Sequence, residues 1–363
     1  MAFLLIALLS ADQPSFAENA YETVGRRFTI LPLSGFSSDD GPGYGFRAAM
    51  YIYDENSSPY RRAYSLQAFF TTKGKWAHQV QVDCPQIALG NRLDITLRYD
   101  KEETTSYSGD LNNSQLSAFT TAERTFQKID PYLTIRWIRD LQIPWRIQYR
   151  LRLGKTRITP NDPTTNLIGQ LGPLGYDGGE LVQASVSVRY DTRDNYINSH
   201  AGRLDEVGLE WGVGAGGDFN GGKLSLQHRH FARVHDRVVF AQRFLATFTV
   251  GDVPFYEQPK LGSSRTLRGP SADRYRDEAR ILTNTEVRWI GIPISKRNQV
   301  FGGLNFFGDV GQVFRRSALP SADDWKLGVG AGLRLYWYST VVRADYAVSN
   351  GDSALYTRFA QIF

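Results

Sequence analysis

The sequence holds almost no cysteine and, after its first residues, no long apolar run. Cys84 is the one cysteine among 363 residues, which excludes an intramolecular disulfide and a metal cluster held by cysteines alone. Beyond residue 17 no window approaches the ~18 apolar residues that a membrane-spanning helix requires. If the mature chain enters a membrane, it must cross with strands, because only helices and closed barrels pair all their backbone groups in hydrocarbon.

Residue patterns of common active sites are also missing. The glycine-rich segments 212–217 and 328–332 resemble nucleotide-binding loops, but neither opens a helix after a buried strand, so we interpret both as strand glycines. His228 and His230 have a spacing open to metal binding, yet they share a face with leucines and fit an interfacial pair better. No nucleophile motif occurs. We expect no enzymatic activity, no catalytic residues, no cofactor and no metal site.

Positive charge is present but not concentrated. The net charge is +5 at pH 7, and the 42 lysines and arginines are spread along the whole chain. Nucleic acid is therefore not an expected partner, because its binding sites need a basic patch or stripe. What the sequence has in quantity are aromatic residues, at 13%, and 34 glycines. This mix is rich in strand formers and turn formers.

An export signal is indicated at the N-terminus by the apolar run 3–9 and the small-residue site at 15–17. We predict a signal peptide at 1–17, a short periplasmic segment at 18–27 and a barrel at 28–363. The basic residues that usually precede the apolar run are missing, which fits a start codon assigned a few residues too late. The alternative interpretation is a frayed apolar N-terminus.

Strict alternation of apolar and polar residues recurs along the chain. In 145–153, Trp, Ile, Tyr and Leu occupy the odd positions, whereas arginine and glutamine occupy the even ones. The same split appears in 92–100, 182–191 and 327–337. A helix would not hold these faces apart. One face suits lipid and the other suits water, as in the strands of a transmembrane barrel.

Sixteen such segments are predicted, an even number, as a bacterial barrel with both termini in the periplasm requires. They lie near 28–36, 43–54, 62–73, 75–83, 91–100, 130–138, 143–153, 180–191, 202–212, 222–233, 236–250, 279–290, 298–309, 327–337, 339–348 and 355–363.

Loop lengths support the same architecture. Long loops are predicted at 101–129, 154–179 and 251–278, whereas turns such as 234–235 and 291–297 are short. Outer-membrane barrels have short periplasmic turns and longer outer loops. A soluble β-sandwich also has alternating strands, but it would have to explain aromatic rows that face away from an arginine-lined interior. The sequence therefore predicts an all-β, antiparallel up-and-down barrel of about sixteen strands in a bacterial outer membrane.

Motifs in the predicted loop 251–278 and in the two strands after it carry a family resemblance. The loop holds Leu267-Arg268-Gly269 and Arg274-Tyr275-Arg276-Asp277, and the strands hold Asn284-Thr285-Glu286 and Phe307-Gly308-Asp309-Val310-Gly311. These motifs resemble the BamA/TamA-like superfamily of outer-membrane assembly and two-partner-secretion barrels, the bacterial surface antigen type. The resemblance covers essentially all of the chain after residue 27, with a weaker match at 190–194.

The resemblance implies that the loop folds into the barrel lumen, with Arg268 paired to Glu286 and Asp309. Strand parity agrees, since it places both carboxylates on the inward face. An arginine between two carboxylates in a partly dehydrated lumen can form bidentate, charge-assisted bonds. The alternative is an ordinary lumen salt bridge without a functional role. The remaining motif residues are expected to support this anchor: Leu267, Gly269, Arg274, Arg276, Phe307 and Gly311.

Two departures from the family pattern affect the loop tip more than the anchor. Pro270 stands where the family usually has an aromatic residue, and Asn284 stands where a glycine is common. The final segment 355–363 resembles the terminal strand by which barrel proteins are recognised for insertion by edge pairing. Its expected signal residues are Leu355, Phe359 and Phe363. A closing strand with an aromatic in the interface girdle is the alternative.

Two functions follow. The resemblance implies a barrel for protein insertion or translocation that works through its lumen or through the seam between its first and last strands. The alternative is a passive or gated pore that favours anions. That pore would be lined by Arg146, Arg150, Arg152, Arg189, Arg243, Arg334 and Arg343.

Expected partners follow from the same resemblance. The family usually carries periplasmic POTRA repeats that bind incoming polypeptides, but between Ala17 and residue 28 there is room for about ten residues. We therefore expect a separate periplasmic partner to replace them. Outer-membrane lipid and the outer-membrane assembly machinery, which would insert this barrel itself, are the other expected partners.

Overall fold

The computed structural model describes residues 24–109, 120–162, 164–295, 297, 299–337 and 340–363. The signal peptide predicted at 1–17 and most of the predicted segment 18–27 lie outside these residues. None of the described helices has the length and apolar character that a membrane crossing requires.

Sixteen strands close into one antiparallel barrel. Their bounds are β1 Gly25–Ser37, β2 Gly41–Tyr53, β3 Arg62–Thr71, β4 Trp76–Ala88, β5 Asn91–Ser106, β6 Thr125–Asp140, β7 Trp145–Pro160, β8 Gly178–Asp191, β9 Gly202–Gly214, β10 Asn220–His235, β11 Val238–Asp252, β14 Ala279–Ser295, β15 Val300–Phe314, β16 Lys326–Trp337, β17 Thr340–Ser349 and β18 Asp352–Phe359. Each barrel strand pairs with the barrel strands before and after it, and β1 closes on β18. The predicted fold class and strand number are confirmed.

The remaining elements are short and belong to loops. The segment between β11 and β14, residues 253–278 and here called the lumen loop, contains a two-stranded sheet of β12 (Lys260–Leu261) and β13 (Tyr275–Arg276). A 3-10 helix at Phe255–Glu257 precedes that sheet. Helices α1 (Thr121–Arg124) and α2 (Leu167–Leu171) lie in the loops after β5 and β7. The end of the barrel that carries these three loops is called the long-loop end below.

Alternation along the strands puts apolar side chains outside and polar ones inside. On β9, Leu209 and Trp211 are 54% and 45% exposed. On β8, Gln183 is 5% exposed, and its outward neighbour Val182 is 41% exposed. A soluble protein would not expose such continuous apolar rows. Lipid is the medium that this surface fits, and the polar interior explains why no run along the chain is apolar throughout.

Several strands are longer than the alternation predicts. β5 and β6 still pair at Thr105 with Phe126, and β6 and β7 pair at Phe126 with Pro160. The predicted loops 101–129 and 154–179 are therefore partly strand. Strand residues outside the lipid layer need no apolar outer face. The alternation of apolar and polar residues therefore ends before the hydrogen-bonded strand pairing does. β1 likewise begins at Gly25, before the predicted start at 28.

Candidate functional site: a buried arginine cluster beside a short strand seam

Arg268 of the lumen loop lies fully buried against the barrel wall. Its Nε and Nη2 donate to the two carboxylate oxygens of Asp309 on β15 at 2.7 and 2.8 Å, and its backbone N–H donates to the same carboxylate at 3.0 Å. Its Nη1 donates to Glu286 on β14 at 2.7 Å. The guanidinium also lies 3.4 Å from the ring centre of Phe307. Three of the four motif segments named in the sequence meet here, and charge-assisted bonds hold the loop against β14 and β15.

Asp345 on β17 is a further carboxylate of this cluster that sequence reasoning missed. It lies 3.4 Å from Arg268 Nη1 and 2.8 Å from Arg343 Nη1, and it also pairs with Arg334. Glu286 in turn contacts Arg288 at 2.7 Å. Four buried arginines thus share three buried carboxylates. The alternation of inward and outward positions could have indicated it, because Arg343 and Asp345 both face inward on β17. No sequence motif distinguishes Asp345 from other inward residues.

Glycine positions let the loop backbone approach the wall. Gly269 has φ +114°, a conformation that side chains disfavour, and a Cβ there would lie 2.7 Å from the Cβ of Ser349. On β16, a Cβ at Gly328 would lie 2.1 Å from the carbonyl oxygen of Arg268. The loop and β16 therefore touch backbone to backbone beside the arginine.

The two departures from the family pattern also contact the site. Asn284, on β14, donates to Asp309 at 2.7 Å and accepts from Arg243 Nε at 2.9 Å. The carbonyl of Pro270 accepts from the hydroxyl of Tyr356 at 3.5 Å. Asn284 therefore adds to the hydrogen bonds that hold Asp309 in place.

The supporting motif residues divide between two places in the lumen. Leu267 packs in a buried cluster with Leu261, Tyr275, Leu282 and Val313, and Gly311 borders Leu261 and Leu282. Arg276 donates to the carbonyl of Phe255 at 3.1 Å and lies 3.4 Å from Asp273. Arg274 lies over the ring of Tyr275 at 5.3 Å. Leu267 therefore packs the loop against β14 and β15, whereas Arg274 and Arg276 contact residues of the loop itself.

The predicted arginine wall is largely neutralised by carboxylates. Arg152 pairs with Asp130 and Glu257 at 2.8 Å each, and Arg189 pairs with Glu206 at 2.9 Å. The other pairs are Arg146 with Asp140, Arg150 with Glu210, and both Arg334 and Arg343 with Asp345. Arg243 differs, since within the described residues it donates to the oxygens of Asn284 and Arg265. A wall of paired charges does not present the free cations that an anion-selective pore uses.

The seam between β1 and β18 is the shortest ladder in the barrel. Two residue pairs form it, Phe36 with Thr357 and Ser37 with Tyr356, whereas β1 and β2 share thirteen. At the adjoining turn, the Ser38 N–H donates to the Leu355 carbonyl at 3.2 Å. β1 has β2 along one edge and β18 along the opposite edge. On the edge that faces β18, residues Gly25 to Gly35 have no ladder partner in the described structure. A strand edge of this length is a template for pairing with another chain.

The short seam has its cause in the end of β18. The strand stops at Phe359, and Ala360 takes φ +67°, turning the chain away from β1. Leu355 and Phe359 are 41% and 42% exposed on the outward face, but Phe363 is 8% exposed and buried inside. The predicted strand 355–363 is therefore wrong in its last four residues. Alternation cannot reveal a chain that leaves the sheet.

The lumen loop contacts both strands of the seam. The N–H of Gly269 donates to the hydroxyl of Tyr356, an inward residue of β18, at 3.3 Å. The N–H of Ala272 donates to Asp39, in the turn between β1 and β2, at 3.0 Å. Burial raises the pKa of that Asp39 carboxyl. The anchored loop thus bridges the seam at the long-loop end.

Comparison with known proteins identifies the family of this chain and proteins of similar fold. A family model described as the Omp85 superfamily domain matches residues 56–360. BamA from Haemophilus ducreyi lacking POTRA domains 1-3 is 13% identical, with a TM-score of 0.64 over 92% of this chain and 70% of that structure. CdiB from Escherichia coli is 13% identical, with a TM-score of 0.63 over 91% and 62%. CdiB from Acinetobacter baumannii is 12% identical, with a TM-score of 0.59 over 93% and 65%.

These similarities concern the fold, and the chain spans less than two thirds of either CdiB structure. No curated protein matches the chain in sequence.

Proposed function

We propose, from the premise that this chain belongs to the Omp85 superfamily, that it is a bacterial outer-membrane protein that inserts or translocates polypeptides through the seam between β1 and β18. One observation carries the proposal: two residue pairs close the barrel, and the edge of β1 from Gly25 to Gly35 is left without a ladder partner in the described structure.

The physical argument concerns backbone groups in lipid. Unpaired N–H and C=O groups in hydrocarbon cost several kcal/mol each. An incoming strand that adds to the edge of β1 would satisfy these groups, which is how extended peptides bind sheet edges in other proteins. Parting β18 from β1 breaks two pairs, whereas parting β1 from β2 would break thirteen. The seam is therefore the place where this barrel opens at least cost.

Outer-membrane lipid is the surrounding partner in this proposal, and a separate periplasmic protein delivers the polypeptide to the seam. The assembly machinery of the outer membrane would insert the barrel itself, with the outward residues Leu355 and Phe359 as part of the signal. Crosslinking in the intact envelope, followed by identification of the captured proteins, tests these partners.

A reversible lock on the seam tests the function. Phe36→Cys with Thr357→Cys, in a Cys84→Ser background, joins β1 to β18 when oxidised. Purified protein in liposomes is given an unfolded outer-membrane barrel protein, and insertion is followed by protease protection and by the heat-dependent gel mobility of folded barrels. We expect oxidation to reduce insertion to the level of empty liposomes and reduction to restore it.

The matched control places a disulfide at a ladder that need not open. Val186 on β8 and Leu209 on β9 are direct partners, so Val186→Cys with Leu209→Cys should leave insertion unchanged in either redox state. Equal insertion by the locked and unlocked seam, with the barrel folded in both, would refute the proposal.

A further inference from the structure

We propose that the outer face of β9 and β10 holds a binding site for the phosphate of a phospholipid headgroup. The site consists of Arg203 and Asp205 on β9 and of His228 and His230 on β10, here called the headgroup patch. The proposal goes beyond the proposed function, because these strands lie on the side of the barrel opposite the seam between β1 and β18.

The headgroup patch is built from two residue pairs of one ladder. His228 is the direct partner of Asp205, and His230 is the direct partner of Arg203. Leu204, between the two β9 residues, is 2% exposed and faces the lumen, whereas the side chains of Arg203 and Asp205 are 53% and 40% exposed. The two histidines singled out in the sequence therefore lie on the outer face of the barrel wall, with an arginine and a carboxylate beside them.

The patch lies at the end of the barrel opposite the long-loop end. Arg203 is the second residue of β9 and follows the turn 192–201. Tyr190 on β8 is the direct partner of Asp205, and its ring centre lies 5.0 Å from that of Trp145 at the start of β7. Aromatic girdles of this kind mark the membrane interface, and charges on the lipid face are tolerated there but not at the bilayer midplane. The patch is therefore at headgroup depth.

Apolar pairs continue the same ladder toward the membrane centre. Val207 pairs with Leu226, and Leu209 pairs with Leu224. Val207 and Leu209 are 52% and 54% exposed. A phospholipid has the same order of polarity, with its phosphate at the interface and its acyl chains beyond it. One lipid molecule can therefore match both the patch and the rows above it, which favours a lipid over a protein as the occupant.

Asp205 holds the basic side chains of the patch in place. Its Oδ1 lies 2.6 Å from His228 Nδ1, and its Oδ2 lies 3.1 Å from Arg203 Nε. The guanidinium carbon of Arg203 also lies 4.8 Å from the ring centre of Tyr190. The carboxylate thus orients both side chains, while the Nη groups of Arg203 and the Nε2 of His228, on the far side of its ring, remain available.

The groups that remain available suit an anion. The ring of His230 stacks on that of His228 at 6.4 Å. Among the described residues, neither the nitrogens of His230 nor the Nη groups of Arg203 have a hydrogen-bond partner. Guanidinium N–H groups only donate, and imidazole nitrogens donate when they carry a proton. Since Asp205 already contacts two bases, the patch complements the acceptor oxygens of a phosphate better than the ammonium group of a headgroup.

Lipid binding by the purified barrel tests the proposal without using insertion activity, so its failure leaves the proposed function standing. Delipidated protein in detergent is titrated with phosphatidylcholine or with monogalactosyl diacylglycerol of the same acyl chains, and bound lipid is counted by native mass spectrometry. Both lipids have no net charge, but the galactolipid lacks a phosphate. We expect the first phosphatidylcholine to bind at a roughly tenfold lower concentration, as one charge-assisted hydrogen bond would give.

Two variants remove the donors of the patch while preserving its packing or its net charge. His228→Phe with His230→Phe keeps two stacked rings, and Arg203→Gln with Asp205→Asn removes one charge of each sign. We expect either pair of changes to abolish the preference for the phosphate lipid. His78→Phe is the matched control, because it removes a histidine that stacks on an aromatic ring of β5, away from the patch. Heat-dependent gel mobility verifies that each variant is a folded barrel.

Three results would overturn the proposal. One is equal binding of the two lipids by the unmodified protein, a measurement that needs no variant to fold. Another is an unchanged preference in both folded patch variants, which would place the bound phosphate elsewhere on the barrel. The third comes from a photo-crosslinking phenylalanine derivative at Phe244, the direct partner of His228 on β11. In the intact envelope we expect a lipid adduct there, whereas a protein adduct would assign the patch to a protein partner.

Discussion

Arg268 and Asp309 are joined by three hydrogen bonds, two from the guanidinium and one from the backbone N–H of the same arginine. Side chain and backbone are therefore fixed by one carboxylate, and the loop can neither rotate nor slide without breaking the pair. Both side chains are 0% exposed. A buried pair of this kind is costly to break on one side only, because the remaining charge is left unpaired.

Arg268→Ala should release the lumen loop while the barrel stays closed. Glu286 and Asp309 would lose their shared cation, a change that costs about 3–5 kcal/mol for buried pairs. Limited proteolysis should then show new cleavage within 265–276. Arg189→Ala is the matched control, since it removes a wall arginine that pairs with Glu206, away from the loop. An unchanged cleavage pattern in the Arg268 variant would remove the anchor assignment.

Gly328→Ala should also release the lumen loop from the barrel wall, although it changes no charge. The added Cβ would lie 2.1 Å from the Arg268 carbonyl oxygen, a backbone atom that cannot move without the loop. Gly308→Ala is the control, because nothing lies within 4 Å of the position that its Cβ would take. Limited proteolysis in the same window compares the two. Similar protection of both variants would mean that the backbone contact is dispensable.

The sequence predicts the strands of the barrel better than it predicts the side-chain contacts inside the lumen. Alternation reveals which residues face lipid, and it is sufficient to place Glu286 and Asp309 on the inward face. It carries no information on pairs within the lumen, so it does not reveal Asp345 or the carboxylates opposite the wall arginines. It also cannot show where a strand leaves the sheet, as at Ala360, because residues 361–363 fit a continued strand equally well.

Asp345→Asn should lower the thermal stability of the barrel, although Asp345 belongs to none of the sequence motifs. Asp345 contacts three arginines, and its loss leaves four buried arginines with two carboxylates. We expect a lower temperature for loss of the compact gel form. Asp352→Asn is the control, since this carboxyl is exposed at the start of β18. Equal melting temperatures would show that the other two acids suffice.

Arg152→Gln should lower stability without changing ion preference. This arginine pairs with Asp130 and Glu257 at 2.8 Å, so its removal leaves each carboxylate with one lysine, Lys128 and Lys223, instead of removing a free anion site. Thermal melting and the reversal potential in planar bilayers under a salt gradient measure the two quantities. A clear loss of anion preference, with stability unchanged, would favour the pore interpretation over the seam.

Asp39→Ala should loosen the seam through the loop tip. Its carboxylate accepts the Ala272 N–H at 3.0 Å, and one hydrogen bond of this kind contributes about 0.5–1.5 kcal/mol. Hydrogen exchange at residues 36–38 should therefore accelerate by roughly tenfold at most. Asp54→Ala, whose carboxylate pairs with the exposed Arg61 at 3.7 Å, is the control. If both variants exchange at the rate of the unmodified protein, the loop rests on the seam without holding it, and the two pairs of β1 and β18 close the barrel unaided.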